Sequence, residues 1–295
     1  MKLQTISTVV VALATASAIE LTTSANPASA FQLTGLTANN QLLLFDSATP
    51  GATKNVQVTG VEGTLLGIDR RPLNNLIYGL TNTNNIYTIN PFTGAATFVS
   101  TLSTAFTGGF TSGVDFNPVP DRLRVVGANG QNLRINVDTG AVIVDGEINP
   151  GDPDITAVAY TNADNDPATG TTLYDIDAAL AQLFIQNPPN NGTLAPVGSL
   201  GVGAIAQVGG FDIVTTNGVN TGLAALTVNN RTKLFTIDLS SGAATEVGTI
   251  GNGRTPLVGL SASASAAVPE PTTMAGLALV GAGLLSTRHK LKKTT

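Results

Sequence analysis

The stretch PLVGLSAS, residues 256–263, decides how this chain folds. It reads as the opening strand of a repeat that never continues. Four similar strands stand earlier: LLGIDRRP (65–72), TSGVDFNP (111–118), ITAVAYTN (155–162) and VGGFDIV (208–214). Each of those is followed by a second strand: NLIYGLT (75–81), RLRVVG (122–127), TTLYDID (171–177) and GLAALTV (222–228). A fifth second strand, QLTGLT (32–37), has no opener before it. An opener without a repeat and a repeat without an opener complete each other if the chain closes into a ring.

Each unit continues with an apolar strand ending in Asn or Asp. These are LLLFD (42–46), IYTIN (86–90), LRINVD (133–138), LFIQN (183–187) and LFTID (234–238). A turn then reaches Gly51, Gly94, Gly140, Gly192 or Gly242, and a fourth strand follows. Asx side chains bond nearby backbone and glycine accepts positive φ, so these turns have a physical cause. The glycines are 43, 46, 52 and 50 residues apart, a period that fits propeller blades. An open solenoid would carry capping repeats at its ends, whereas here one repeat is split between them. The expected fold is therefore all-β: a five-bladed β-propeller over 31–263, closed by the C-terminal strand completing the N-terminal blade. Closure removes the free sheet edges. DAALAQLF (177–184) has helix-forming alanines, but its place in the repeat predicts strand.

Both ends read as export signals. Lys2, the apolar run 6–19 and Ala28-Ser29-Ala30 form a signal-peptide pattern over 1–30, with signal peptidase cleaving between Ala30 and Phe31. Near the other end, after a short linker at 264–267, stand Pro269-Glu270-Pro271, an apolar run at 272–287 and a basic cluster at 288–293. Sixteen helical residues reach about 24 Å, short of the ~30 Å hydrocarbon core, so the run is a strained span. The basic cluster would stay cytoplasmic. The body between the ends has nine basic and seventeen acidic residues, which argues against nucleic acid and anionic lipid as partners.

Two resemblances follow from these residues. FNPVPDRLRVVGANGQNLRINVDTGAV (116–142), LFIQNPPNNGTLAPVGSLGV (183–202) and GGFDI (209–213) resemble the bacterial family called domain of unknown function 4394, over about 33–260. That family implies an exported, propeller-like β-fold and no established activity. Residues 268–295 resemble a PEP-CTERM sorting segment. This implies recognition by an exosortase-type enzyme in a Gram-negative bacterium, transient inner-membrane anchoring, and delivery to the cell surface or extracellular matrix.

Chemistry is sparse. Cysteine is absent and the single histidine, His289, lies in the tail. The body therefore holds no Ser-His-Asp triad, thiol nucleophile or His-ligated metal. No phosphate loop or dinucleotide fingerprint is present. Asp69, Asp115 and Asp212 recur at equivalent places in three opening strands, which predicts a structural role such as bonding backbone N–H groups between blades. A catalytic carboxylate pair, as in glycoside hydrolysis, should break the repeat symmetry. Asp152, Asp154, Asp164 and Asp166, with Asn165, are oxygen donors suited to calcium, or simply turn formers. Arg122, Arg124 and Arg134 are expected close together, able to grip acidic sugars or to pair with Asp115, Asp121 or Asp138. Tyr78, Tyr87 and Tyr174 fall on strands and should be largely buried. The expected function is an exported, non-catalytic propeller binding an exopolysaccharide or envelope component. A hydrolase using paired aspartates and a purely structural matrix protein are the alternatives.

Overall fold

The structure is a computed structural model; it describes residues 30–264 except 111, 165 and 167. The signal-peptide reading of 1–29 and the sorting-segment reading of 268–295, including Pro269, Glu270, Pro271 and the run 272–287, lie outside the described residues.

Twenty strands follow one another in sequence. They are β1 (Phe31–Leu36), β2 (Gln41–Asp46), β3 (Lys54–Gln57), β4 (Leu65–Arg70), β5 (Ile77–Thr81), β6 (Asn85–Ile89) and β7 (Ala96–Thr101). Then come β8 (Ser112–Asn117), β9 (Arg122–Gly127), β10 (Asn132–Ile135), β11 (Val142–Val144), β12 (Ile155–Tyr160), β13 (Leu173–Asp177) and β14 (Gln182–Gln186). The last are β15 (Leu194–Ser199), β16 (Ile205–Thr216), β17 (Val219–Val228), β18 (Arg231–Ile237), β19 (Ala244–Thr249) and β20 (Gly259–Ala264). They form five four-stranded antiparallel sheets, each an up-and-down meander from an inner to an outer strand. These are the five blades of a propeller. Only the first blade is split: β20 pairs with β1 in the register Phe31↔Ala264 to Leu36↔Gly259, and so closes the ring. Ala264, expected in a linker, belongs to this strand.

The core lies between blades. Five buried apolar clusters fill the five joints, one per pair of neighbouring blades. Tyr78 meets Phe116 edge-on in the joint between blades 2 and 3, with ring centroids 5.4 Å apart. Tyr87 is also buried, and Tyr174 packs half-buried on the joint between blades 4 and 5. The segment 177–184 forms no helix. Residues 178–181 make the turn joining β13 to β14, and the strand resumes at Gln182.

The turn glycines have a second reason to be glycine. Gly94 has φ +75°, and a Cβ there would lie 1.9 Å from the Gln57 carbonyl oxygen of the preceding blade. Gly140 has φ +73° and would meet the Thr101 oxygen at 1.9 Å. Each turn docks by backbone on its neighbour: Thr59 N–H donates to Gly94 O at 2.9 Å, and Ser103 N–H to Gly140 O at 2.8 Å. The repeat marker is thus also a joint between blades. Gly51 departs from the expected pattern, since its φ is not positive and no atom approaches its Cβ position more closely than 3.8 Å.

Candidate functional site

Alternation along the inner strands sets the site. Ile68 points into the joint between blades 1 and 2, so Asp69 turns the other way, towards β8. Val114 and Phe116 face blade 2, which turns Asp115 towards β12. Phe211 and Ile213 face blade 4, which turns Asp212 towards β20. Each carboxylate meets a backbone N–H of the following blade. Asp69 Oδ2 accepts from Phe116 N at 2.8 Å, Asp115 Oδ1 from Tyr160 N at 2.9 Å, and Asp212 Oδ2 from Ala262 N at 2.5 Å. The equivalent places on β12 and β20 hold Ala159 and Ser261. Of the N–H groups left over there, that of Ile213 is served within its own strand, donating to Asp212 Oδ1. Three aspartates therefore satisfy four backbone donors around the axis, the structural role that their recurrence predicts.

That role does not exhaust them. The three carboxylates converge, with one oxygen from each lying within 4.8 Å of the others. All are buried, at 4%, 4% and 7% exposure. Burial pushes Asp69 well above the usual carboxylate range, and the charge of Asp212 adds to it. Burial likewise raises Asp115, with Asp69 and Asp212 reinforcing the shift. Asp212, with two backbone donors and Arg70 in range, is pushed up to about 6, again mainly by burial.

The carboxylates form the floor of a cavity of about 560 Å³ at one end of the axis. Its walls include Arg70, Asn74, Asn75, Tyr160, Thr215 and Ser263. Beyond the floor the axis is closed. Gly67, Gly113, Gly210 and Gly259 bring the inner strands together; a Cβ on Gly113 would lie 2.6 Å from Val158 N, and one on Gly210 2.3 Å from Leu260 N. The space left there is about 10 Å³, too little for more than one water. The cavity is a blind cup. A second hollow of about 480 Å³ lies beside it over blade 2, lined by Leu76, Asn90, Phe92 and Thr97 and sharing Arg70 and Asn75 with the cup. Phe92 is 73% exposed there.

The arginines are used inside the fold. Arg124 and Arg134 are neighbours in register, as expected. Arg124 is 1% exposed and crosses the joint between blades 3 and 4. It donates to Tyr160 Oη at 3.1 Å, Asn132 Oδ1 at 2.6 Å, Asp145 Oδ2 at 2.7 Å and Asn190 Oδ1 at 2.9 Å. Arg134 forks onto the same Asp145 at 2.6 and 2.8 Å. Arg122 donates to the Pro120 and Asp121 carbonyls. These three therefore do not form a ligand-gripping cluster. Asp121 and Asp138, considered as their partners, instead hold Arg71 across the joint between blades 2 and 3, at 2.5 and 2.7 Å. Nothing in local spacing marked Asp145, which reaches Arg124 only because the hairpin β10–β11 folds it back.

The second acidic group is not gathered either. Asp152 and Asp154 precede β12 and Asp164 and Asp166 follow it, so a six-residue strand of about 20 Å separates the pairs. Asp164 and Asp166 accept the Asp166 and Ala168 N–H groups at 3.0 and 2.9 Å, as turn formers do. Burial and Asp177 raise Asp154. Among the described residues the acidic group that converges is the axial one, for which the sequence favours a structural role with a catalytic pair as the alternative. Ala30 and Phe31 sit at the start of β1, where Phe31 N donates to Ser47 Oγ at 2.9 Å.

Comparison with known families settles the kinship: the family described as Domain of unknown function (DUF4394) matches residues 41–261. The chain belongs to this family. No curated protein matches. Among solved structures, a protein of unknown function from Bacteroides thetaiotaomicron VPI-5482 is similar with a TM-score of 0.48 and 17% identity, over 73% of this chain and 57% of that one. The computationally designed Ika8 protein gives 0.37 and 12%, over 77% and 61%. An auxiliary nutrient binding protein from the same Bacteroides strain gives 0.40 and 12%, over 65% and 55%. The DUF4394 chain thus spans less than two thirds of each of these neighbours. Among its described residues no helix is long and apolar enough to cross a membrane.

Proposed function

We propose that this DUF4394 protein is an exported, non-catalytic propeller that binds a polysaccharide or related envelope component in the axial cup. The observation that carries the reading is that the cup and the hollow over blade 2 lie side by side, with Arg70 and Asn75 lining both. A chain-like ligand could enter the cup and run outward across exposed Phe92, while a compact metabolite would need only the cup. The lining suits a hydroxyl-rich ligand: amides from Asn74 and Asn75, hydroxyls from Thr215 and Ser263, and one guanidinium. Export rests on the patterns at the two ends of the sequence, with display at the cell surface or in the extracellular matrix.

The test is a glycan array and a polysaccharide pull-down with the full chain, repeated with Asn75→Ala and Phe92→Ala. Retention that falls at least about tenfold in both variants supports the reading, since each removes contacts worth at least ~1.4 kcal/mol. No retention of any glycan by the parent protein sinks it.

One observation favours a second reading, a hydrolase. Carboxyls with raised proton affinity face a cavity, the environment in which acid–base catalysis is found. Against it, all three carboxylates are buried and bonded to backbone N–H groups. Release of reducing ends from any retained glycan, lost in Asp212→Asn, would decide for the enzyme.

A further inference from the structure

We propose that Asp69, Asp115 and Asp212, together with the hydroxyl of Ser261, hold a divalent cation, calcium by its chemistry, at the floor of the axial cup. The inference rests on the ring itself and does not require a glycan in the cavity.

Three features point to a cation. The first is the donor set: three hard carboxyl oxygens, one from each aspartate, lie within 4.8 Å of one another. Oxygens bound to calcium at 2.3–2.6 Å are separated by at most about 5 Å when opposite, so the three fit around one centre. The described residues include no histidine or cysteine, which disfavours zinc and copper.

The second is Ser261. Leu260 points into the joint between blades 5 and 1, so the alternation that aims the aspartates turns Ser261 the other way, towards β4 and the layer of the carboxylates. It holds in β20 the place that Asp212 holds in β16. Its Oγ is buried, in a residue 1% exposed, and has no hydrogen-bond partner. Ser261 is therefore the one ring member whose polar atom has no role in the backbone capping scheme. A buried hydroxyl without a partner is costly, and a cation in the ring would use its lone pairs.

The third is charge balance. Three carboxylates share this end of the axis, and among the lining residues Arg70 is the one cation. Arg70 donates a 2.7 Å bond to the Asn75 carbonyl, which holds its guanidinium on the wall of the cup. Each carboxylate uses its N–H bonds through one lone pair per oxygen, so further lone pairs remain for a metal. Three carboxylates and a hydroxyl fill part of a six- to eight-fold calcium sphere. The remaining positions face the cup, where waters or ligand hydroxyls would complete it.

The experiment is thermal unfolding of the full chain in chelator and then with added calcium, magnesium or manganese, alongside Asp115→Asn and Ser261→Ala. Asp115→Asn keeps an oxygen for the Tyr160 N–H but removes a charge, so the variant should fold at least as well as the parent in chelator. The expected result is a midpoint rise of about 5–10 °C for the parent at calcium a hundredfold above Kd, with magnesium weaker. The rise should vanish in Asp115→Asn and require higher calcium in Ser261→Ala. Titration calorimetry should give one ion per chain. A parent midpoint unmoved by all three cations overturns the proposal, as does an unchanged rise in Asp115→Asn, which would put the ion elsewhere.

Discussion

Replacing Arg124 by Met should damage the fold far more than the same change at Arg134, although the two guanidiniums share Asp145. Arg124 is 1% exposed and makes four hydrogen bonds, two of them to residues of blade 4. Met fills much of the volume but donates nothing. Asn132 Oδ1 and Asn190 Oδ1 lose a donor in a closed joint, at about 1–3 kcal/mol for each group left unsatisfied. Asp145 loses one of its two cations, and breaking a buried pair costs about 3–5 kcal/mol. Asp145 keeps its fork to Arg134, so the sum is discounted to about 4 kcal/mol. Arg134 has a quarter of its side chain in water, so its removal should cost only about 1 kcal/mol. Denaturant titration of the three proteins gives these differences directly, and the Arg124→Met melting point should drop by roughly 8–16 °C. Adding Asp145→Leu to Arg124→Met should recover part of the loss by removing the half-stranded charge. An Arg124→Met variant within 1 kcal/mol of the parent would refute this account of the joint.

Three other outcomes are expected. Gly140→Ala should cost at least ~3 kcal/mol in chemical denaturation, because the methyl meets a carbonyl as well as an unfavourable φ; Gly130→Ala, at φ +79° with nothing within 4 Å, should cost only about 1 kcal/mol. Asp175 is fully buried and neither of its carboxyl oxygens has a partner; burial raises it well above the carboxylate range, with Arg124 opposing. Its contribution to stability is fully present below the unfolded value near 4 and is lost as pH rises towards the raised value, so the parent should fall relative to Asp175→Asn by up to ~1.4 kcal/mol per pH unit above about 4. Parallel stability–pH curves for the two would show that the carboxyl is not perturbed. A circular permutant joining Ala264 to Phe31 through a two-residue Asn-Gly turn and opened after Gly109 should unfold in one cooperative transition, since the joined ends are already strand partners, while deletion of 257–264 should abolish that transition.

The fold was legible because a propeller repeats itself. The split of one repeat between QLTGLT and PLVGLSAS is a topological statement written in plain sequence, and strands such as Arg122–Gly127 could be bounded to the residue. The Asx-turn-Gly punctuation was also readable, but its second cause was not, since the carbonyls facing Gly94 and Gly140 belong to other blades. The site was half legible. Equivalent positions placed Asp69, Asp115 and Asp212 at one level of the ring. What sequence could not supply was distance: whether inner strands approach closely enough for the carboxylates to meet depends on the glycines at the axis. The arginine group failed for the converse reason. Proximity was predicted correctly, yet whether a guanidinium faces solvent or a buried Asp145 is decided by how one hairpin folds back. Ser261 was passed over because serine in an apolar strand carries no signal until the ring assigns it a place.

The clasp between β1 and β20 also has a meaning in time. Phe31 and Ala264 are about 230 residues apart in sequence, so this pairing is the most distant contact in the sheet system and has the largest loop to close. During synthesis blades 2 to 5 can each complete their own meander as they emerge, whereas blade 1 waits with an unpaired inner edge until almost the whole body has appeared. The Asp212–Ala262 bond and the Ser261 position arise in the same event. Completion of the ring and placement of Ser261 are therefore one kinetic step, and a chain cut short before residue 259 lacks both the last blade edge and the part of the cup wall that Ala262, Ser263 and Ala264 supply.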